Sequence, residues 1–146
     1  MNRTRIIVIV VALAGLAGSA VVAALLFLHF RSLQRVEPAQ VGGLYSFVAE
    51  PGRYGVLKVL RVDPNAVHVR VYQGHSETRP VQVDPAALKL ASIHDDQEAP
   101  GIGHLPITPG TFAEWSPRLL RLTAVAPEEL DGYEEWKKAG GAVWGE

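Results

Sequence analysis

The sequence predicts an α+β protein: a single N-terminal transmembrane helix, then a small, bent antiparallel β-sheet with C-terminal helices packed on it. Three observations lead there. Ile6–Phe30 contains no Asp, Glu, Lys or Arg. Val67 to Tyr72 alternates strictly between valines and polar or aromatic residues, directly after the turn sequence Asp63-Pro64-Asn65-Ala66. Pro127–Ala139 carries Glu128 and Glu129 at its start, Lys137 and Lys138 at its end, and Leu130, Tyr133 and Trp136 at helical spacing.

The first run sets the organisation: a tail over 1–5, a span over 6–30, a linker over 31–43 and a domain outside the membrane over 44–146. A helix of roughly 25 residues at about 1.5 Å per residue crosses a hydrocarbon layer of about 30 Å with some tilt. Its β-branched start, Ile6 to Val11, disfavours helix in water. In lipid the cost of bare backbone polar groups outweighs that preference. A cleaved signal would have a core of about 7–15 residues closed by small side chains; this run is longer and ends in the bulky Leu25-Leu26-Phe27-Leu28-His29-Phe30. The flanking arginines, Arg3 and Arg5 against Arg31 and Arg35, nearly balance. Keeping the charged amino terminus inside puts the domain on the extracytoplasmic side. Small pairs at i, i+4 (Ala14/Gly18, Gly15/Ser19, Ala20/Ala24) offer a face for homodimer formation in the bilayer.

Past the linker, Leu44–Val48 reads as a strand closed by Pro51-Gly52. Tyr54–Val62 and Val67–Tyr72 read as a hairpin. Pro64 suits the second turn position and Asn65 the third. Val67, Val69 and Val71 share one face, and His68, Arg70 and Tyr72 the other. The first arm is apolar on both faces at Val59-Leu60, as a central strand would be. Thr78–Val83 reads as a further strand, with Pro80 confining it to an edge or bulge. Asp84-Pro85 opens a short helical turn, and Leu88–Ile93 a last short strand. Several short strands with tight turns predict a strongly bent sheet of the SH3-barrel kind, an architectural likeness that carries no activity.

His94–Pro106 reads as loop. Thr108-Pro109 and Ser116-Pro117 each look like an N-cap followed by the first helical residue. The final helix has charges that complement its dipole and ends at Gly140-Gly141. Gly132 inside it costs about 1 kcal/mol relative to alanine, which close packing against that position would explain. Ala142–Trp144 reads as a returning strand. Trp115, Trp136 and Trp144 are expected in the core.

Net charge is −1, unevenly spread: +3 over residues 1–43, +2 over 44–90 and −6 over 91–146. An acidic C-terminal third argues against nucleic acid as a partner and fits an acidic face that meets a basic protein. The absence of cysteine excludes disulfides and thiolate chemistry. No phosphate-loop, nucleophile-elbow or zinc-protease motif is present. The densest group of ligand-type side chains is His94, Asp95, Asp96, Glu98 and His104, of imidazole and carboxylate chemistry that suits zinc. It is read as a solvated acidic loop, with His104 hydrogen-bonded beside Leu105-Pro106. No catalytic, cofactor-binding or metal residue is therefore assigned, and no cofactor is expected. Ser92, His94 and Asp95 are close in sequence, but a triad is defined by geometry, not by proximity in the chain. His68 and His75 read as surface residues.

The segments Gly103-His104-Leu105-Pro106, Gly132-Tyr133-Glu134-Glu135-Trp136 and Gly140-Gly141-Ala142-Val143-Trp144, with the Val56–Tyr72 hairpin, resemble small bacterial domains without an assigned activity. The resemblance covers most of the domain and implies no site residue. The expected function is a non-enzymatic interaction module, with the lipid bilayer as one partner through Ile6–Phe30 and a protein as the other. The alternative is a membrane-anchored metal-dependent hydrolase built on the His94–His104 loop.

Overall fold

A computed structural model describes residues 37–90 and 101–145. The span Ile6–Phe30 lies outside the described residues. Among them, no helix is long and apolar enough to cross a membrane.

Five antiparallel strands form one sheet: β1 (Gly43–Glu50), β2 (Arg53–Val62), β3 (Val67–Val71), β4 (Ile102–Ile107) and β5 (Arg118–Leu122), in the order β4-β3-β2-β1-β5. Two short helices follow the last strands, α1 (Pro109–Glu114) between β4 and β5 and α2 (Asp131–Lys138) near the C-terminus. The first three strands are the hairpins expected. Asp63 and Ala66 exchange backbone hydrogen bonds across the turn, and Gly52 supplies the positive φ of the β1–β2 turn.

The valine face of β3 enters the core. Val69 pairs with Val59 on β2 and with Leu105 on β4; Tyr45, Phe47, Leu57, Ile107 and Phe112 complete the cluster. Tyr45 is fully buried; its hydroxyl accepts from Gln40 N and donates to Pro38 O, each at 2.9 Å. The opposite face is not left to water. After β5 the chain crosses it, Thr123 N bonding Gly42 O and Lys58 Nζ reaching Ala124 O. It then turns through the 3₁₀ segment Pro127–Leu130 into α2 over β3 and β4. Gly42 makes that crossing fit: at φ +80° a Cβ there would fall 2.0 Å from Thr123 O.

Five sequence expectations change. Thr78–Val83 is not a strand. Pro80 has no N–H to give a ladder, and the segment is held by the Arg79 side chain instead. Residues 102–106, expected as loop, lie in strand β4. Proline is tolerated there because β4 is an edge: Pro106 O accepts from Trp144 N on the outer side, so the missing N–H also faces away from β3. The helix expected from Ser116-Pro117 is β5, because Ser116 at φ +50° ends α1 and redirects the chain while Leu119 and Arg118 pair with β1. Trp144 is 58% exposed rather than in the core; its segment makes a single parallel bridge to Ile107. Residues 37–42, expected within the linker, are bonded to the sheet through Glu37, Pro38, Gln40 and Gly42.

The helix ends follow their local chemistry. Thr108 Oγ1 accepts from Thr111 N at 3.0 Å ahead of Pro109. Asp84 caps the turn Pro85–Ala87 in the same way. Gly140 and Gly141 end α2 at positive φ, with Gly141 N returning to Trp136 O.

A buried polar site beneath helix α2

His68 was expected at the surface, on the polar side of an alternating strand. It is on that side, but the side is covered and His68 has no exposed area. Tyr133 and Trp136, one helical turn apart on α2, lie edge-on to its ring at 4.8 and 4.5 Å between centroids. On β4, His104 stacks beside it almost parallel, at 5.2 Å and 7°. The aromatic cage excludes water, so the ring nitrogens must find protein partners.

They do. His68 Nε2 is 3.2 Å from Asp63 Oδ2, and His68 Nδ1 is 3.0 Å from His104 Nε2. Tyr133 donates its hydroxyl to the same Asp63 oxygen at 3.2 Å, and the Arg61 guanidinium lies 5.5 Å from the centroid of the Tyr133 ring. Burial pushes the His68 imidazole below its ordinary range, against the attraction of Asp63. Burial, then the neighbouring His68, pushes His104 down to about 4. With both rings neutral, the bonds assign the tautomers. His68 donates from Nε2 to Asp63 and accepts at Nδ1; His104 donates from Nε2. The relay Asp63–His68–His104 therefore ends at an unprotonated Nδ1 of His104, for which the described residues supply no hydrogen-bond partner. No buried side-chain nitrogen among them is left unsatisfied, so this atom meets solvent.

Gly132 explains how α2 comes so close. A Cβ there would fall 2.5 Å from His104 Cβ. The glycine that costs helix propensity is thus what lets the helix rest on β4. It also brings together two of the motif segments noted in the sequence, Gly103–Pro106 and Gly132–Trp136.

Beside the relay lies an ionic clip. Lys58, with its side chain 7% exposed, donates to Glu129 Oε2 at 2.6 Å; Arg70 donates from Nη1 to Glu129 Oε1 at 2.9 Å. Arg70 Nε reaches Gly103 O. Glu129 Oε2 also accepts from Ala126 N at 2.9 Å. Burial alone would raise the Glu129 carboxyl, but the hydrogen bonds and the two cations hold it below the ordinary range. One carboxylate thus ties the 3₁₀ turn to β2 and β3.

Of the metal-type residues singled out in the sequence, His104 is the one the described residues include. Its Nε2 is committed to His68. His94, Asp95, Asp96 and Glu98 lie outside them. Among the described residues no three His, Cys, Asp or Glu side chains are placed to hold a metal ion. Sequence reasoning missed Asp63, His68 and Tyr133 as a unit; Gly132 was the one local signal of close approach. As chemistry, a relay ending in a nitrogen with a pKa near 4 makes a poor proton acceptor at neutral pH. As structure, it joins three elements in one bonded set. No protein-family model, curated protein or solved structure matches the chain.

Proposed function

We propose that the chain is a single-pass membrane protein, anchored by Ile6–Phe30, whose folded domain is a non-enzymatic interaction module at the membrane surface. The observation that carries this is the division of charge across the sheet. Arg79, Arg118 and Arg121 stand on the β5 side, while Glu128, Asp131, Glu134 and Glu135 are exposed on and before α2, over β3 and β4 at the other edge. The buried polar groups support the reading, because their bonds are spent on fixing α2 and the turn before it. Lys137 and Lys138 close the last turn of α2, where Lys138 pairs with Glu135 at 2.8 Å. The acidic surface is therefore the start of the helix with the turn before it, Glu128, Asp131 and Glu134. Displayed at one edge of a tethered domain, it suits a basic partner whose local concentration the tether raises. The bent sheet is read as barrel-like on the support of α1, which links its two edge strands. The domain is placed on the extracytoplasmic side.

The test is crosslinking in native membranes with a photoreactive residue at Glu134. A discrete adduct that Glu128→Lys with Asp131→Lys abolishes is the expected result. Adducts that are unchanged by the charge reversal, or none at all, would overturn the reading.

A further inference from the structure

A groove of about 190 Å³ beside the β5 edge is lined by Arg79, Pro80, Val81, Arg118, Leu119 and Leu120. Two arginines line it, Arg79 and Arg118, and no acidic residue does. Arg79 is held in place by Ser46 Oγ, Ser46 O and Ser116 O and lies over the Tyr54 ring. Burial, and then Arg118, lowers its guanidinium's affinity for a proton. The two like charges therefore repel each other. Val81 at the rim is 87% exposed, and Leu122 at the end of β5 is 56% exposed.

The length of chain between this surface and the apolar run bounds how far apart they can lie. Glu37 Oε2 accepts from Leu119 N at 2.7 Å, on the strand that lines the groove. The apolar run ends at Phe30, so residues 31–36 alone separate it from that contact. Six residues span at most roughly 20 Å. Resting on the membrane tether of the proposed function, we infer that the Arg79–Arg118 groove seats the phosphate of an anionic phospholipid headgroup, with Val81 and Leu122 dipping into the interface beside it. Phosphate chemistry fits paired guanidiniums, and an apolar rim fits the acyl boundary.

The chain has no cysteine, so single cysteines report each surface. The full chain with Val81→Cys, labelled with an environment-sensitive fluorophore, is reconstituted in vesicles of phosphatidylcholine alone or with phosphatidylglycerol, each carrying a headgroup spin label as quencher. Expected is stronger quenching with phosphatidylglycerol, reversed by high salt. Arg118→Gln should shift the bound fraction by about fivefold. A Glu134→Cys reporter should stay unquenched in both. Equal quenching at position 81 in both lipids, or no response to Arg118→Gln, overturns the inference. Flotation after carbonate extraction tests the tether separately. If the chain does not float, the tether fails, and the groove is probed in solution with short-chain phosphatidylglycerol against short-chain phosphatidylcholine. A response to the anionic lipid alone still supports the headgroup site; an equal response to both, or the same response to inorganic phosphate, refutes it.

Discussion

His68 Nδ1 and His104 Nε2 lie 3.0 Å apart on adjacent strands, with their rings 7° from parallel. Two imidazoles so placed cannot both be charged, and the cage around His68 favours neither being so. The folded domain therefore depends on two neutral histidines.

The pH dependence follows from this. The folded His104 pKa of about 4 lies below the ordinary 6.5, so unfolding takes up protons between those values. Stability is complete above pH 6.5 and is lost as pH falls towards 4. His68 is shifted in the same direction. Allowing for the partial exposure of His104, the loss is about 2 kcal/mol. Urea melts of the full chain in detergent at pH 7.5, 5.5 and 4 should show it, and His104→Phe should flatten the profile. An unchanged slope in that variant would show that other groups control the titration.

Gly132→Ala sets helix propensity against space. Propensity favours alanine by about 1 kcal/mol. The new methyl, however, would fall 2.5 Å from His104 Cβ, and overpacking of this kind costs about 1–3 kcal/mol. The expected result is a lower melting temperature together with a changed His104 titration in NMR spectra. A more stable variant would mean that α2 can lift off β4 at little cost.

Glu129→Gln leaves Lys58 buried without its carboxylate. Breaking one partner of such a clip costs about 3–5 kcal/mol. The loss should appear in denaturant midpoints, with the amides of residues 126–130 exchanging faster. A loss below about 1 kcal/mol would show that water replaces the carboxylate at Lys58.

Val69 has no exposed area and Val81 is 87% exposed. Val69→Asp would place a charge in the core, paired with Val59 and Leu105, and should abolish cooperative melting followed by circular dichroism. Val81→Asp should melt within about 0.5 kcal/mol of the parent. Similar melting of the two variants would contradict the assigned face of β3.

The sequence by itself determined the hairpins, the faces of β3, the caps at Thr108 and Asp84, the end of α2 and the close approach at Gly132. Each is set by neighbours within a few positions, through side-chain period, a proline or glycine dihedral, or a capping oxygen. The tertiary structure alone decided what those faces meet. Alternation at His68 tells which side it takes, but not that a helix some 60 residues later covers that side and turns a surface histidine into a buried relay. Strand β4 was hidden for the same reason: Gly103 and Pro106 argue locally for loop, and the ladder with β3 that overrides them is a contact between segments far apart in the chain. The leucines of Arg118–Leu122 suit helix or strand; the left-handed turn at Ser116 and the exposed flank of β1 settled it. Local patterns report backbone preference, whereas burial, protonation and pairing depend on which distant surfaces find each other.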